Sequence, residues 1–256
     1  SFSDGGVYLD RDRAVERALQ QIADGARVID IGAESTRPGS ISVPTQEQIR
    51  RAVPVVEALR AKDSAIPISI DTCSAEVARA ALESGANIVN DTSALRDDEA
   101  MVQVVAESGA SLILMHRKGT PRDMQQEGGP VYSDVIAEIA EFLSQRVDFA
   151  IRYGIDRARI AIDPGIGFGK RSEDNLRILN QVRRFAEPRC PVVIGASRKR
   201  FIGELLGVAE PRDRMIGSVA CATIAVVNGA SMIRAHDVLE TVQALQVIQA
   251  VIANQP

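Results

Sequence analysis

Tryptophan is absent from this sequence of 256 residues, and aromatic residues make up only 4% of it. Proteins that grip single-stranded nucleic acid stack bases on aromatic rings, so so thin a supply argues against that function. A basic stripe is lacking too: the net charge is −4 and both signs are mixed along the chain, which argues against a duplex partner. Nowhere do 18 apolar residues follow one another, so no segment reads as a membrane span. No signal-peptide pattern opens the sequence. Three scattered cysteines, Cys73, Cys190 and Cys221, fit neither a disulfide framework nor a zinc pattern. They read as reduced thiols of a cytoplasmic protein.

What is present describes a globular chain. Apolar residues make up 45% and charged residues 25%, the proportions of a soluble domain. The length suits one α/β barrel and is ample for a buried core. No linker, repeat or low-complexity tract divides the sequence, so residues 1–256 are expected to form a single domain.

Short apolar, β-branched runs alternate with longer amphipathic stretches. The runs are VIDIG (28–32), PISIDT (67–72), NIVND (87–91), SLILMH (111–116), RIAID (159–163), PVVIGAS (191–197) and SMIRAHD (231–237). Nearly continuous apolar strands are buried on both faces, as in parallel sheets. Helical patterns lie between them, among others at 11–24, 75–85, 134–153, 173–186, 213–227 and 238–253. Strands alternating with helices specify βα units. The count is about seven strands and eight helices. The fold class expected is α/β, a (β/α)8 TIM barrel. Such a barrel needs one more strand ahead of the helix at Arg11, and the sequence is expected to begin after it.

Six of the seven apolar runs end in residues that a core rejects: Asp71, then Asn90 and Asp91, His116, Asp163, the group Ser197, Arg198 and Lys199, and finally Arg234, His236 and Asp237. In a barrel these ends share one face, where active sites lie. A lone aspartate at a strand end more often caps the next helix, and Asp91 and Asp237 read that way. Asp71, Asn90 and Asp163 suit the polar edge of a flat heterocycle. Lys199 adds a cation, and the Arg234 guanidinium can lie on a π face. Arg234 and His236, two apart on a strand, point to one side and suit phosphate oxygens. The stretch DPGIGFGK (163–170) is not a nucleotide P-loop, because Pro164 and Arg171 stand where that motif needs Gly and Ser or Thr.

Taken together, SFSDGG (1–6), DIGAESTRPGS (30–40), SIDT (69–72), NIVNDTSA (87–94), LMHRKGTPRDMQ (114–125), IDPGIGFGK (162–170), GASRKRFIG (195–203) and IRAHDV (233–238) resemble the dihydropteroate synthase family of pterin-binding enzymes. The resemblance covers essentially the whole chain in the family's order and spacing. It implies that Asp71, Asn90, Asp163, Lys199 and Arg234 bind the pterin. Arg234 and His236 would hold a leaving diphosphate. Thr36, Arg37, Pro38, Phe168 and Arg200 would shape the 4-aminobenzoate pocket, near the helix start after Lys199. Asp4 would sit on a mobile loop, with ESTRPGS (34–40) as a second one. Asp71, Lys199, Arg234 and His236 are the catalytic set it implies.

The implied reaction is condensation of 6-hydroxymethyl-7,8-dihydropterin diphosphate with 4-aminobenzoate in folate biosynthesis, with sulfonamides as competitors. Mg²⁺ is the implied cofactor. The family's metal-binding Asn lies on a strand ahead of SFSDGG, before residue 1. Arg200 stands where many members carry Ser, and Arg117 and Lys118 depart from the commoner pair. The family further implies a homodimer through the last helices. Two rival readings are a methyltetrahydrofolate methyltransferase of the same barrel group and a pterin-binding barrel without catalysis. The ESTRPG loop and the Arg234–His236 pair argue against the first.

Overall fold

A computed structural model describes residues 10–35, 43–119 and 130–254. The chain forms two compact units. One comprises residues up to 115 together with 145–161, and the other comprises 116–144 together with 162–256.

The first unit opens with helix α1 (Arg11–Ala23), started by Asp10, whose carboxylate accepts from the Arg13 N–H. Strand and helix then alternate: β1 (Ile29–Gly32), α2 (Thr45–Lys62), β2 (Ile68–Asp71), α3 (Ala75–Glu83), β3 (Ile88–Asp91), α4 (Met101–Ser108) and β4 (Ser111–Met115). The strands pair in parallel in chain order, and the first residues of β5 (Ile160–Asp163) continue the sheet beside β4. Ile68, Ile70, Val89, Leu112 and Leu114 are buried. The α2 face with Val56 and Leu59, both fully buried, packs on α1 and α3. Parallel strands need helical crossovers, and those crossovers cover the apolar faces.

The register places polar residues side by side. Gly32 lies opposite Asp71, and Asp71 opposite Asn90. Beyond Asp91 the backbone turns through two consecutive left-handed residues, Ala94 (φ 55°) and Leu95 (φ 64°).

Helix α5 (Val135–Arg152) buries Val135, Ile139, Leu143 and Val147, one side chain every four residues. The second unit continues from the end of β5 through α6 (Ser172–Asn180), β6 (Val193–Ile194), α7 (Arg200–Leu206), α8 (Met215–Val227), β7 (Met232–Ile233) and α9 (Val238–Ala253). Ile162 bridges to Val192 in parallel, and β6 pairs with β7 in parallel. Helix α8 packs on α6, α7 and α9.

All seven expected strands are present. The last two shrink to two residues each, because Gly195 and the residues beyond it enter a loop. The helix expected over 173–186 ends at Asn180 and continues as a 3-10 turn over Val182–Ala186. The described residues hold nine α-helices rather than eight, and no described strand precedes α1.

Candidate active site

In the first unit the site is built from strand register. Asp71 and Asn90 end neighbouring strands at the same level, and the Thr72 N–H donates to the Asn90 carbonyl at 3.1 Å. Asn90 is buried and Asp71 half-buried. Asp91 is not a helix cap. Its carboxylate accepts from the Ser93 N–H and hydroxyl, both at 2.7 Å, and from the Leu95 N–H at 2.8 Å. It stabilises the turn after Asn90, ten residues before α4 begins. Arg146 completes that turn by donating to the carbonyls of Ala94 (2.7 Å) and Leu95 (3.2 Å).

In the second unit three strand ends meet. Asp163 closes β5 and is buried, with Oδ1 accepting from the Gly165 N–H at 2.7 Å. Burial pushes its carboxyl above the usual range, while the Gly165 N–H, Lys199, Lys170 and Arg234 oppose the shift. Gly165 (φ +72°) presses on the His116 carbonyl so closely that any Cβ would collide with it. The Asn175 side chain accepts from the Gly167 N–H at 2.8 Å.

Lys199, the residue before α7, is buried, with its ammonium 4.0 Å above the Phe168 ring centre. The Gly195 backbone runs past Arg234 and Asp163. A Cβ built there would lie 3.7 Å from Arg234 Cβ and 4.0 Å from Asp163 Oδ2. His236 Nδ1 lies 2.9 Å from the Ser197 hydroxyl, and the His236 N–H donates to the same oxygen at 3.2 Å. Arg234 faces Gly195 and His236 faces Ser197 from the loop beyond β7, which ends at Ile233, and not from the strand expected to carry them.

Asp237 occupies the cap position of α9, yet its carboxylate makes no bond to that helix. It pairs instead with both sides of the Arg198 guanidinium, with Nε at 3.1 Å from Oδ2. Both side chains are almost buried, and Arg198 adopts a left-handed backbone (φ 59°). The cap expectation fails because a desolvated guanidinium is a stronger partner for a carboxylate than a helix N–H.

One residue of this centre, Lys170, was not singled out from sequence, and Ser197 was read only as a polar residue at the end of its strand. Lys170, the last residue of the glycine loop, is buried against His116. Ser197 is the anchor of His236. Only the apolar company of Lys170 in GIGFGK hinted at burial. Arg200 is exposed and pairs with Glu204 at 2.7 Å. Asp4, Thr36, Arg37 and Pro38 lie outside the described residues. No group of three or more His, Cys, Asp or Glu side chains among the described residues could hold a metal.

In the second unit, a carboxylate, two cations and an oriented imidazole beyond the ends of parallel strands suit a flat, polar, anion-bearing substrate. The chain belongs to the pterin-binding enzyme family, whose profile matches residues 1–236. Within it the chain aligns with dihydropteroate synthases. The enzyme of that name from Mycobacterium leprae is 44% identical over 98% of this chain and 89% of its own length. The Yersinia pestis dihydropteroate synthase, solved with a sulfonamide drug complex, superposes with a TM-score of 0.94 at 39% identity, over 99% of this chain and 90% of that one. The Xanthomonas albilineans dihydropteroate synthase in complex with 7,8-dihydropteroate gives a TM-score of 0.87 at 40% identity, over 99% and 91%. These likenesses carry the fold class: α/β with parallel strands, of the (β/α)8 barrel type.

Proposed function

We infer that the chain is a dihydropteroate synthase of folate biosynthesis, a transferase that condenses 6-hydroxymethyl-7,8-dihydropterin diphosphate with 4-aminobenzoate and releases diphosphate. The observation that carries the reading is the meeting of Asp163, Lys199, Arg234 and the Ser197-held His236 at the ends of β5, β6 and β7. The near full-length identity to dihydropteroate synthases supports it.

In this reading Asp163 accepts from the 2-amino and ring N–H groups of the pterin, and Lys199 donates to its ring carbonyl or a ring nitrogen. The resemblance adds Asp71 and Asn90 to the pterin ligands. Arg234 lies on the ring face and, with His236, holds the diphosphate. The C–O bond from the pterin methylene to diphosphate breaks, and its electron pair leaves with the diphosphate. Arg234 and His236 stabilise that growing charge. The electron-rich ring delocalises the cationic character left at the methylene, with Asp71 as its counter-charge. The arylamine nitrogen then forms the C–N bond and gives up a proton to solvent. Mg²⁺ is the proposed cofactor and would supply further positive charge to neutralise the leaving diphosphate; chelation during turnover tests it. The resemblance assigns Phe168 and Arg200, with Thr36, Arg37 and Pro38, to the aminobenzoate pocket, where sulfonamides would compete, and Asp4 to a further loop of the site.

A cytoplasmic homodimer completes the proposal. Among the described residues no helix is long and apolar enough to cross a membrane. Leu239, Val247 and Val251 on α9 and Ile216 on α8 are exposed, a surface suited to a second copy. Sedimentation would test the dimer.

The deciding experiment mixes the chain with Mg²⁺, the pterin diphosphate and 4-aminobenzoate, and detects dihydropteroate by mass. Lys199→Ala and Arg234→Ala should each lower turnover by about 100-fold or more. A folded, pterin-binding chain that makes no product would favour the binding protein without catalysis.

A further inference from the structure

We propose that Lys170 is a positioning residue for Asp163: it is the buried cation that keeps this carboxylate ionised, and so able to accept hydrogen bonds from a pterin. The inference rests on the reading of Asp163 as a pterin ligand.

The geometry around Lys170 is closed. The residue is 5% exposed, and its Nζ lies 3.0 Å from His116 Nδ1, 3.1 Å from the Phe168 carbonyl and 3.4 Å from the His116 carbonyl. An ammonium has three N–H donors. Three acceptors at these distances take one each and leave none for a substrate. Acceptance at Nδ1 assigns the His116 ring proton to Nε2. Phe142 fixes that ring edge-on, with centroids 4.9 Å apart.

The same atoms frame Asp163. The His116 N–H donates to the Asp163 carbonyl at 2.9 Å, and the Gly165 N–H donates to Asp163 Oδ1 at 2.7 Å. A Cβ on Gly165 would lie 3.3 Å from Lys170 Nζ. One residue's width of backbone therefore separates the ammonium from the group that orients the carboxylate.

The charges facing Lys170 are Asp163, Lys199, Asp174 and Lys118, with His116 in contact. Asp163 faces Lys199, Lys170 and Arg234. In the proposed function Lys199 and Arg234 engage the substrate, which dilutes their hold on Asp163. Lys170 is the counter-charge that the substrate does not touch.

Burial draws Lys170 down to about 7, against the pull of Asp163. As pH falls, the incoming proton settles on Lys170 first, and the resulting charge resists a second proton on Asp163. A protonated Asp163 would lose one of the two acceptors that a paired amino and ring N–H require.

The test is pterin affinity of the whole chain, measured by calorimetry with 6-hydroxymethyl-7,8-dihydropterin from about pH 5 to about pH 9. Wild type is compared with Lys170→Gln, which keeps N–H donors but not the charge, and with Lys170→Met, which keeps neither. The pH below which affinity collapses should move up by about one unit or more in both variants. Affinity should return to within a few-fold of wild type on the alkaline side. An unchanged midpoint in a folded Lys170→Gln, or loss of fold in both variants, would make Lys170 a structural lysine and overturn the proposal. A wild type that binds no pterin would overturn the functional reading, and this one with it.

Discussion

Arg198 shows how much one side chain can organise. Its guanidinium holds Asp237, its N–H donates to the Ser218 hydroxyl at 2.8 Å, and its carbonyl accepts from Arg214 at 3.2 Å. Its neighbours in sequence are Ser197, which anchors His236, and Lys199. Arg198→Ala would leave the Asp237 carboxylate desolvated and alone, which costs about 3 kcal/mol or more. Urea unfolding reads that loss. A loss under about 1 kcal/mol would place the pair with ordinary surface ion pairs. Gly165→Ala is the second test at this scale. A Cβ cannot fit against the His116 carbonyl, so the 163–170 loop must move and carry the orientation of Asp163 with it. Pterin affinity should fall at least about tenfold; an affinity equal to wild type would show that the loop does not position Asp163.

At the scale of elements, the strand termini depend on helices remote in sequence. The loop after β3 holds two non-glycine residues in the left-handed region, a strain on the order of 1–3 kcal/mol each. Arg146, on α5, offsets it through two carbonyl contacts and lies 4.1 Å from the Phe149 ring centre. Arg146→Met keeps the apolar stem and removes the donors. It should lower stability by about 1–3 kcal/mol and accelerate hydrogen exchange at the Ser93 and Leu95 amides. Unchanged exchange would mean that Asp91 alone holds the turn.

At the scale of the whole molecule, buried titratable groups set the pH dependence of stability. Lys170 titrates near 7 when folded, against an ordinary 10.5. Between these values the unfolded chain binds a proton that the folded chain has released, so stability rises with pH across that window. The slope of unfolding free energy against pH between about 7 and about 10 should therefore be steeper in wild type than in Lys170→Gln. Equal slopes would mean that Lys170 is not desolvated.

The sequence by itself determined the βα alternation, because strand and helix are written in local apolar periodicity, and all seven strands were legible, although β6 and β7 stop short of the polar residues read as their ends. It also carried the family, through motifs spread over the chain. Tertiary structure alone decided what each polar residue holds. Asp91 and Asp237 look alike in sequence as strand-end aspartates, but one closes a turn and the other grips Arg198. Lys170 looked like the tail of a glycine loop until His116, 54 positions away, proved to be its partner. Periodicity reports which face of an element avoids water, whereas hydrogen-bond partners and desolvation depend on residues distant in the chain, and only packing brings those together.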